Sequence, residues 1–192
     1  MTSAPSRFAS LLTPALLAVA LAVVSCSAKV QTADESAAAP PADTEATVEH
    51  GTYLATIMGC HDCHTPGNFY NAPDFNRSLS GSEIGWVGPW GTSYARNLTP
   101  DLETGIGSWT EDQIMLTLQT GKRPDGTELL PPMPWPNYAG LTPRDVRSLA
   151  KYLKSLPPVH HVNPPQLPPG QKSPTGALVL PPPPAWDVPK TP

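Results

Sequence analysis

Cys60-His61-Asp62-Cys63-His64 places two cysteines three residues apart and a histidine directly after the second, in a chain with three cysteines altogether. Three chemistries use that spacing. A structural zinc site needs four ligands in a tetrahedron, and the chain offers no second cysteine pair and no paired histidine motif to complete one. A dithiol redox pair belongs at the start of a helix within a strand-helix-strand unit, whereas this motif follows a helical stretch in a chain without strong strand patterns. Covalent attachment of haem c gives every residue a role. The thiols of Cys60 and Cys63 add across two vinyl groups, the two-residue spacer matches their separation, and His64 lies under the iron. The motif occurs once, so one covalent haem c is expected. The chain must then wrap a large, flat, apolar ring that becomes part of its core.

The flanks read differently from the centre. Arg7 precedes the apolar run "FASLLTPALLAVALAVV", too short and alanine-rich for a transmembrane helix, and the run closes on small residues at "VVSC". Residues 1–26 read as an export signal, and Val23-Val24-Ser25-Cys26 resembles a bacterial lipobox, whose cleavage leaves Cys26 as a lipidated N-terminus. A plain signal peptide or an uncleaved anchor is the alternative. Residues 27–46, rich in Ala, Pro and acidic residues, form a flexible linker. These features predict an exported, periplasm-facing protein anchored by lipid, or a soluble periplasmic one if Cys26 stays unmodified. Export suits haem c, which is attached beyond the bacterial inner membrane. Only 15% of residues are charged and the net charge is −4, which supplies no basic field for nucleic acid. Many of the 27 prolines fall in residues 158–192, a Pro-rich tail expected to drift or to lie across the domain.

Between the flanks, residues 47–157 carry helical patterning. Gly51, Leu54, Ala55 and Met58 share one helical face ending near Gly59, and glycine on that face suggests close contact with another helix. Thr110 and Gln113 make a capping box ahead of Ile114, Met115 and Leu118, with Gly121 as the stop. Thr142, Pro143 and Asp145 start a last helix with the stripe Val146, Leu149, Ala150 and Leu153, ended by Pro157-Pro158. Residues 65–96 read as a long structured loop with room for a short hairpin. For the second axial position, Met58 and Met115 sit on packing faces, and His61 lies between the thioether cysteines. Met133 differs. In "LLPPMPWPNY" the prolines stiffen the backbone and deny its side chain a regular face to pack, which suits an axial ligand. His50, His160 and His161 are the alternatives.

This order of helix, CxxCH, loop, helix, proline-flanked methionine and final helix resembles the class I cytochrome c fold over about residues 47–157. The segments "GPWGTSYARNLTPDLETGIGSWTEDQI", "GKRPDGTELLPPMPWPNYAGLTPRDV" and "LAKYLKSLPPV" are similar to the haem domains of membrane-bound dehydrogenase cytochrome c subunits. Those subunits carry three such domains and this chain one CxxCH. The resemblance implies an all-α fold, electron transfer without catalysis, and redox partners such as a membrane-bound dehydrogenase or a terminal oxidase. It also makes Trp90, Arg96 and Asn97 candidates for contacts to the haem propionates. Two rival readings stay open: a peroxidase-like enzyme or sensor with an open distal side, and an assembly subunit whose Pro-rich tail binds a partner.

Overall fold

The computed structural model describes residues 45–181. Cys26, the export signal and all but the last two residues of the expected linker lie outside the described residues, as do residues 182–192 of the tail. The described residues form five α-helices: α1 (Val48–Ile57), α2 (Cys60–His64), α3 (Glu111–Thr120), α4 (Trp135–Tyr138) and α5 (Pro143–Ser155). Their ends follow local chemistry. The Thr47 hydroxyl accepts from the His50 amide, Thr110 and Gln113 form the reciprocal capping box, and Thr142 accepts from the Asp145 amide. Gly59 and Gly121 take left-handed conformations, at φ 68° and 70°, that end α1 and α3 and turn the chain sharply.

The helices form the larger part of the core. α5 packs against both α1 and α3, and α3 also meets α4. Leu54 and Ala55 of α1, Ile114 of α3 and Leu149, Ala150 and Leu153 of α5 join one buried cluster. Each large apolar side chain so buried contributes about 1.5–3 kcal/mol. Gly51 sits where α1 crosses α5 and leaves no room for a side chain, which is the close contact its place on the apolar face suggested.

The all-α expectation is too narrow. A three-stranded sheet in the order β2-β1-β3 is built from β1 (Gly85–Gly88), β2 (Gly91–Tyr94) and β3 (Ala177–Val179). β1 and β2 form an antiparallel hairpin closed by Pro89 and Trp90, while β3 runs parallel to β1, pairing Trp86 with Leu178. β3 comes from the Pro-rich segment, which lies across the domain from residue 158 to 181. An isolated bridge pairs Leu167 with Thr92, and the His161 ring contacts the Ser80 carbonyl at 2.9 Å and Glu83 at 3.0 Å. Asn163 donates to the Ser80 carbonyl at 3.0 Å, and Val159 accepts from Asn97 at 2.8 Å. Proline supplies no donors of its own, so the donors of this strap come from its non-proline residues, while the Pro164 carbonyl accepts from Arg96 at 3.1 Å. Among the described residues no helix is long and apolar enough to cross a membrane.

Candidate cofactor-binding site

α2 is one short helix, and its spacing puts Cys60, Cys63 and His64 on one face. All three line a cavity of about 800 Å³. Both cysteines are free. Burial pushes the Cys60 thiol up to about 11 and raises Cys63 as well. A redox-active pair has an acidified thiol, so these thiols are tuned in the opposite direction. Among the described residues, no group of three or more His, Cys, Asp or Glu side chains is placed to hold a metal ion by itself.

His64 is buried and its orientation is fixed. Its Nδ1 lies 2.7 Å from the Arg96 carbonyl oxygen, which can only accept, so Nδ1 carries the proton and Nε2 keeps its lone pair. Burial also lowers the pKa of the ring and favours the neutral form. Such a hydrogen bond fixes the tautomer of a metal-binding histidine. The following residues hold the loop around it. The Thr65 hydroxyl accepts from the Leu79 amide at 3.1 Å, and the Gly81 amide donates to the His64 carbonyl at 2.8 Å.

Met133 lines the same cavity. Its amide donates to the Leu130 carbonyl at 3.2 Å, Pro134 caps α4 behind it, and the Ser93 hydroxyl donates to the Pro131 carbonyl, tying this loop to β2. Trp135 then lies against Gly121, where a Cβ would meet its ring at 2.4 Å. Met58 reaches the cavity as well, while Met115 packs against the core cluster. The other histidines lie elsewhere. His50 pairs with Asp145 at 2.7 Å, His160 faces Asp101 and Glu103, His161 ties down the strap, and His61 contacts Thr65.

The cavity has two characters. Leu98, Ile106, Ile114, Leu118, Leu149 and Leu153 form apolar walls, and Tyr138, whose hydroxyl burial and the nearby thiols push up to about 12, stands near the cysteines. Polar residues also belong to the lining, with Arg96, Arg123 and the strap residues Asn163 and Gln166 among them. Asn97 lines the cavity, but its amide donates to Thr104 and Val159 while its oxygen accepts from Thr99. The Trp90 indole donates to Ser93 at 3.3 Å and the ring is not part of the lining. Arg123 was missed by sequence reasoning, because a charged residue in "GKRPDG" reads as an ordinary solvated turn. The donor set fits a haem: two thiols and an imidazole on one helical face, a thioether on a stiff loop, apolar walls and cationic groups.

No family model matches the chain. It is 36% identical over 116 residues to the cytochrome c subunit of alcohol dehydrogenase (quinone) from Gluconobacter oxydans, a match covering 60% of this chain and 23% of that protein. With the fructose dehydrogenase cytochrome subunit of Gluconobacter japonicus it shares 38% identity over 106 residues, 55% of this chain and 20% of the relative. A diheme cytochrome c-type protein from Cereibacter sphaeroides is 35% identical over 104 residues, 52% of this chain and 33% of its own length. The chain thus spans a fifth to a third of these relatives. Its homologues are cytochrome c proteins, several of them the cytochrome subunits of dehydrogenases.

Proposed function

We propose that the chain carries one haem c, joined through Cys60 and Cys63 and ligated by His64 and Met133, and serves as an electron carrier on the periplasmic side of a bacterial membrane. The observation that carries this reading is the single cavity to which α2 brings both thiols and His64 and to which the proline-stiffened loop brings Met133. Haem bound there supplies a one-electron couple between ferric and ferrous iron. The residues provide what such a couple needs. His64, held by the Arg96 carbonyl, presents a neutral nitrogen in one orientation, the leucine and isoleucine walls exclude water, and the tied Met133 loop keeps its thioether in reach. Ligation by both His64 and Met133 would leave small molecules no open coordination site.

The relatives named as subunits of alcohol and fructose dehydrogenases support a membrane-bound dehydrogenase as donor, with a terminal oxidase or another redox protein as acceptor. Lipidation at Cys26 with residues 27–46 as a leash would confine the domain to a shell near the membrane, raising its local concentration for such partners. The test is Met133→Ala. Wild type should contain one covalent haem by mass and show the weak red sulfur-to-iron band when ferric. The variant should lose that band, fall in potential and bind cyanide faster. A variant that keeps the band and the potential would assign the second axial position to another residue.

A further inference from the structure

His64 rests on two backbone supports. The Gly81 amide donates to its carbonyl at 2.8 Å, and the Arg96 carbonyl accepts from its ring Nδ1 at 2.7 Å. The segments that carry these supports are tied to each other, with the Leu98 amide donating to the Leu79 carbonyl at 2.8 Å and the Ser82 amide to the Ala95 carbonyl at 3.2 Å. Residues 159–164 of the strap grip both. On one side the Arg96 side chain donates to the Pro164 carbonyl at 3.1 Å, and that of its neighbour Asn97 donates to the Val159 carbonyl at 2.8 Å. On the other side the Ser80 carbonyl accepts from the Asn163 side chain at 3.0 Å and faces His161 Nδ1 at 2.9 Å.

The grip on Ser80 needs a close fit. Gly81 has φ 98°, and a Cβ there would lie 2.2 Å from Asn163 Oδ1 and 2.4 Å from its Nδ2, so only glycine lets the Asn163 side chain reach over to Ser80. The Ser80 hydroxyl donates to the Arg77 carbonyl at 2.8 Å and therefore offers only lone pairs to His161 Nδ1, 3.1 Å away. Nδ1 thus carries a proton directed at Ser80. The other ring nitrogen lies 3.0 Å from Glu83 and 3.3 Å from Arg77, which holds the ring at both ends. Ser80 and Asn163 are both buried, so water is no ready substitute for these bonds.

We propose that the strap residues His161 and Asn163 are positioning residues for His64: by holding Ser80 they set the backbone support at Gly81, and through it the alignment of the His64 ring with the Arg96 carbonyl. This rests on the haem reading of the cavity, in which His64 is an axial ligand. A hydrogen bond at Nδ1 raises the basicity of the other ring nitrogen and so favours ferric iron. Loosening the support lengthens that bond and favours the ferrous state.

The experiment uses full-length, haem-loaded protein in four forms: wild type, Asn163→Ala, His161→Ala and the control Ser173→Ala. Ser173 fastens the strap elsewhere, 2.7 Å from the Tyr94 hydroxyl, and its hydrogen bonds reach neither Ser80 nor Arg96. The Ser80 carbonyl has two donors, so each single variant keeps one and the strap stays attached. Proton NMR of the ferric protein gives the hyperfine shifts of the haem methyls, which follow the orientation of the axial imidazole, and spectroelectrochemical titration gives the midpoint potential. Asn163→Ala and His161→Ala should each rearrange the methyl shifts and raise the potential, whereas Ser173→Ala should change neither. If both variants keep the wild-type shifts and potential while their unfolding midpoints fall, the strap is packing alone and the positioning role is refuted while the haem site stands. An equal change in Ser173→Ala would refute it as well, because any loosening of the strap would then suffice. Wild type lacking covalent haem would overturn the functional reading and the positioning role with it.

Discussion

Replacing Gly51 by alanine tests the crossing of α1 and α5 that frames the cavity. A Cβ on Gly51 would lie 2.0 Å from the Ser148 carbonyl oxygen, 2.6 Å from the carbonyl carbon and 2.7 Å from the Tyr152 Cβ. These are backbone atoms or the first atom of a side chain, so no rotamer change relieves the clash. Opening the shortest contact to about 3.5 Å means parting the helices by roughly 1.5 Å. Two effects compete. Alanine inside a helix gains about 0.5–1 kcal/mol over glycine, while overpacking a tight interface costs about 1–3 kcal/mol. A contact this short belongs at the upper end of the second range, and separation would also loosen Leu54 and Ala55 within their cluster with Leu149 and Ala150. A net loss of about 2 kcal/mol follows. Guanidinium unfolding of the haem-loaded protein, followed by circular dichroism, should show a lower midpoint with an unchanged slope. Gly140→Ala is the control: the nearest atom to its Cβ would be 3.9 Å away, and the effect should be neutral or slightly stabilising. Gly51→Ala as stable as wild type would refute the reasoning.

Two further outcomes concern acid and the membrane. Hydrogen bonds from His50 and Thr142 hold the Asp145 carboxyl below its ordinary value, so its contribution is present above about pH 4 and is lost as pH falls through the folded value. Unfolding midpoints measured from about pH 6 down to about pH 3 should therefore decline, and Asp145→Asn should flatten part of that decline, with Asp74 and Asp101 supplying more of it; an unchanged acid limb would show that the pair between α1 and α5 contributes nothing. Cys26→Ser should release the protein from the membrane fraction and remove the lipid mass from its N-terminus, and retention of both would exclude lipidation there.

What the sequence revealed and what it hid divide by range of interaction. Thr110 with Gln113 and Thr142 with Asp145 announce helix starts because each cap is completed within four residues. Cys60, Cys63 and His64 share a face because helical spacing alone puts them there. The pairing of Trp86 with Leu178 spans more than half the described chain, and "ALV" is too short to show an alternating pattern, so the third strand was invisible. α4 is a single turn with proline inside it, below what periodicity can register. Arg123 was hidden for another reason: turn chemistry in "GKRPDG" is legible, but which of two adjacent cations faces inward depends on a bridge between Lys122 and Glu128. The same limit applies to His50, whose partner Asp145 lies on another helix.

The strap also orders events in time. A chain made from its N-terminus presents Cys60, Cys63 and His64 first, then Met133, and only afterwards Val162, Asn163 and Gln166, which belong to the same cavity lining. β1 waits for β3, and Thr92 of β2 waits for Leu167, until the last stretch of the described chain has emerged. Until then the cavity lacks the part of its lining that the strap supplies. On the haem reading of this cavity, the ring would have room to be joined to the chain before the strap is laid down. The late segment would then be a closure applied after loading, rather than a barrier to be crossed.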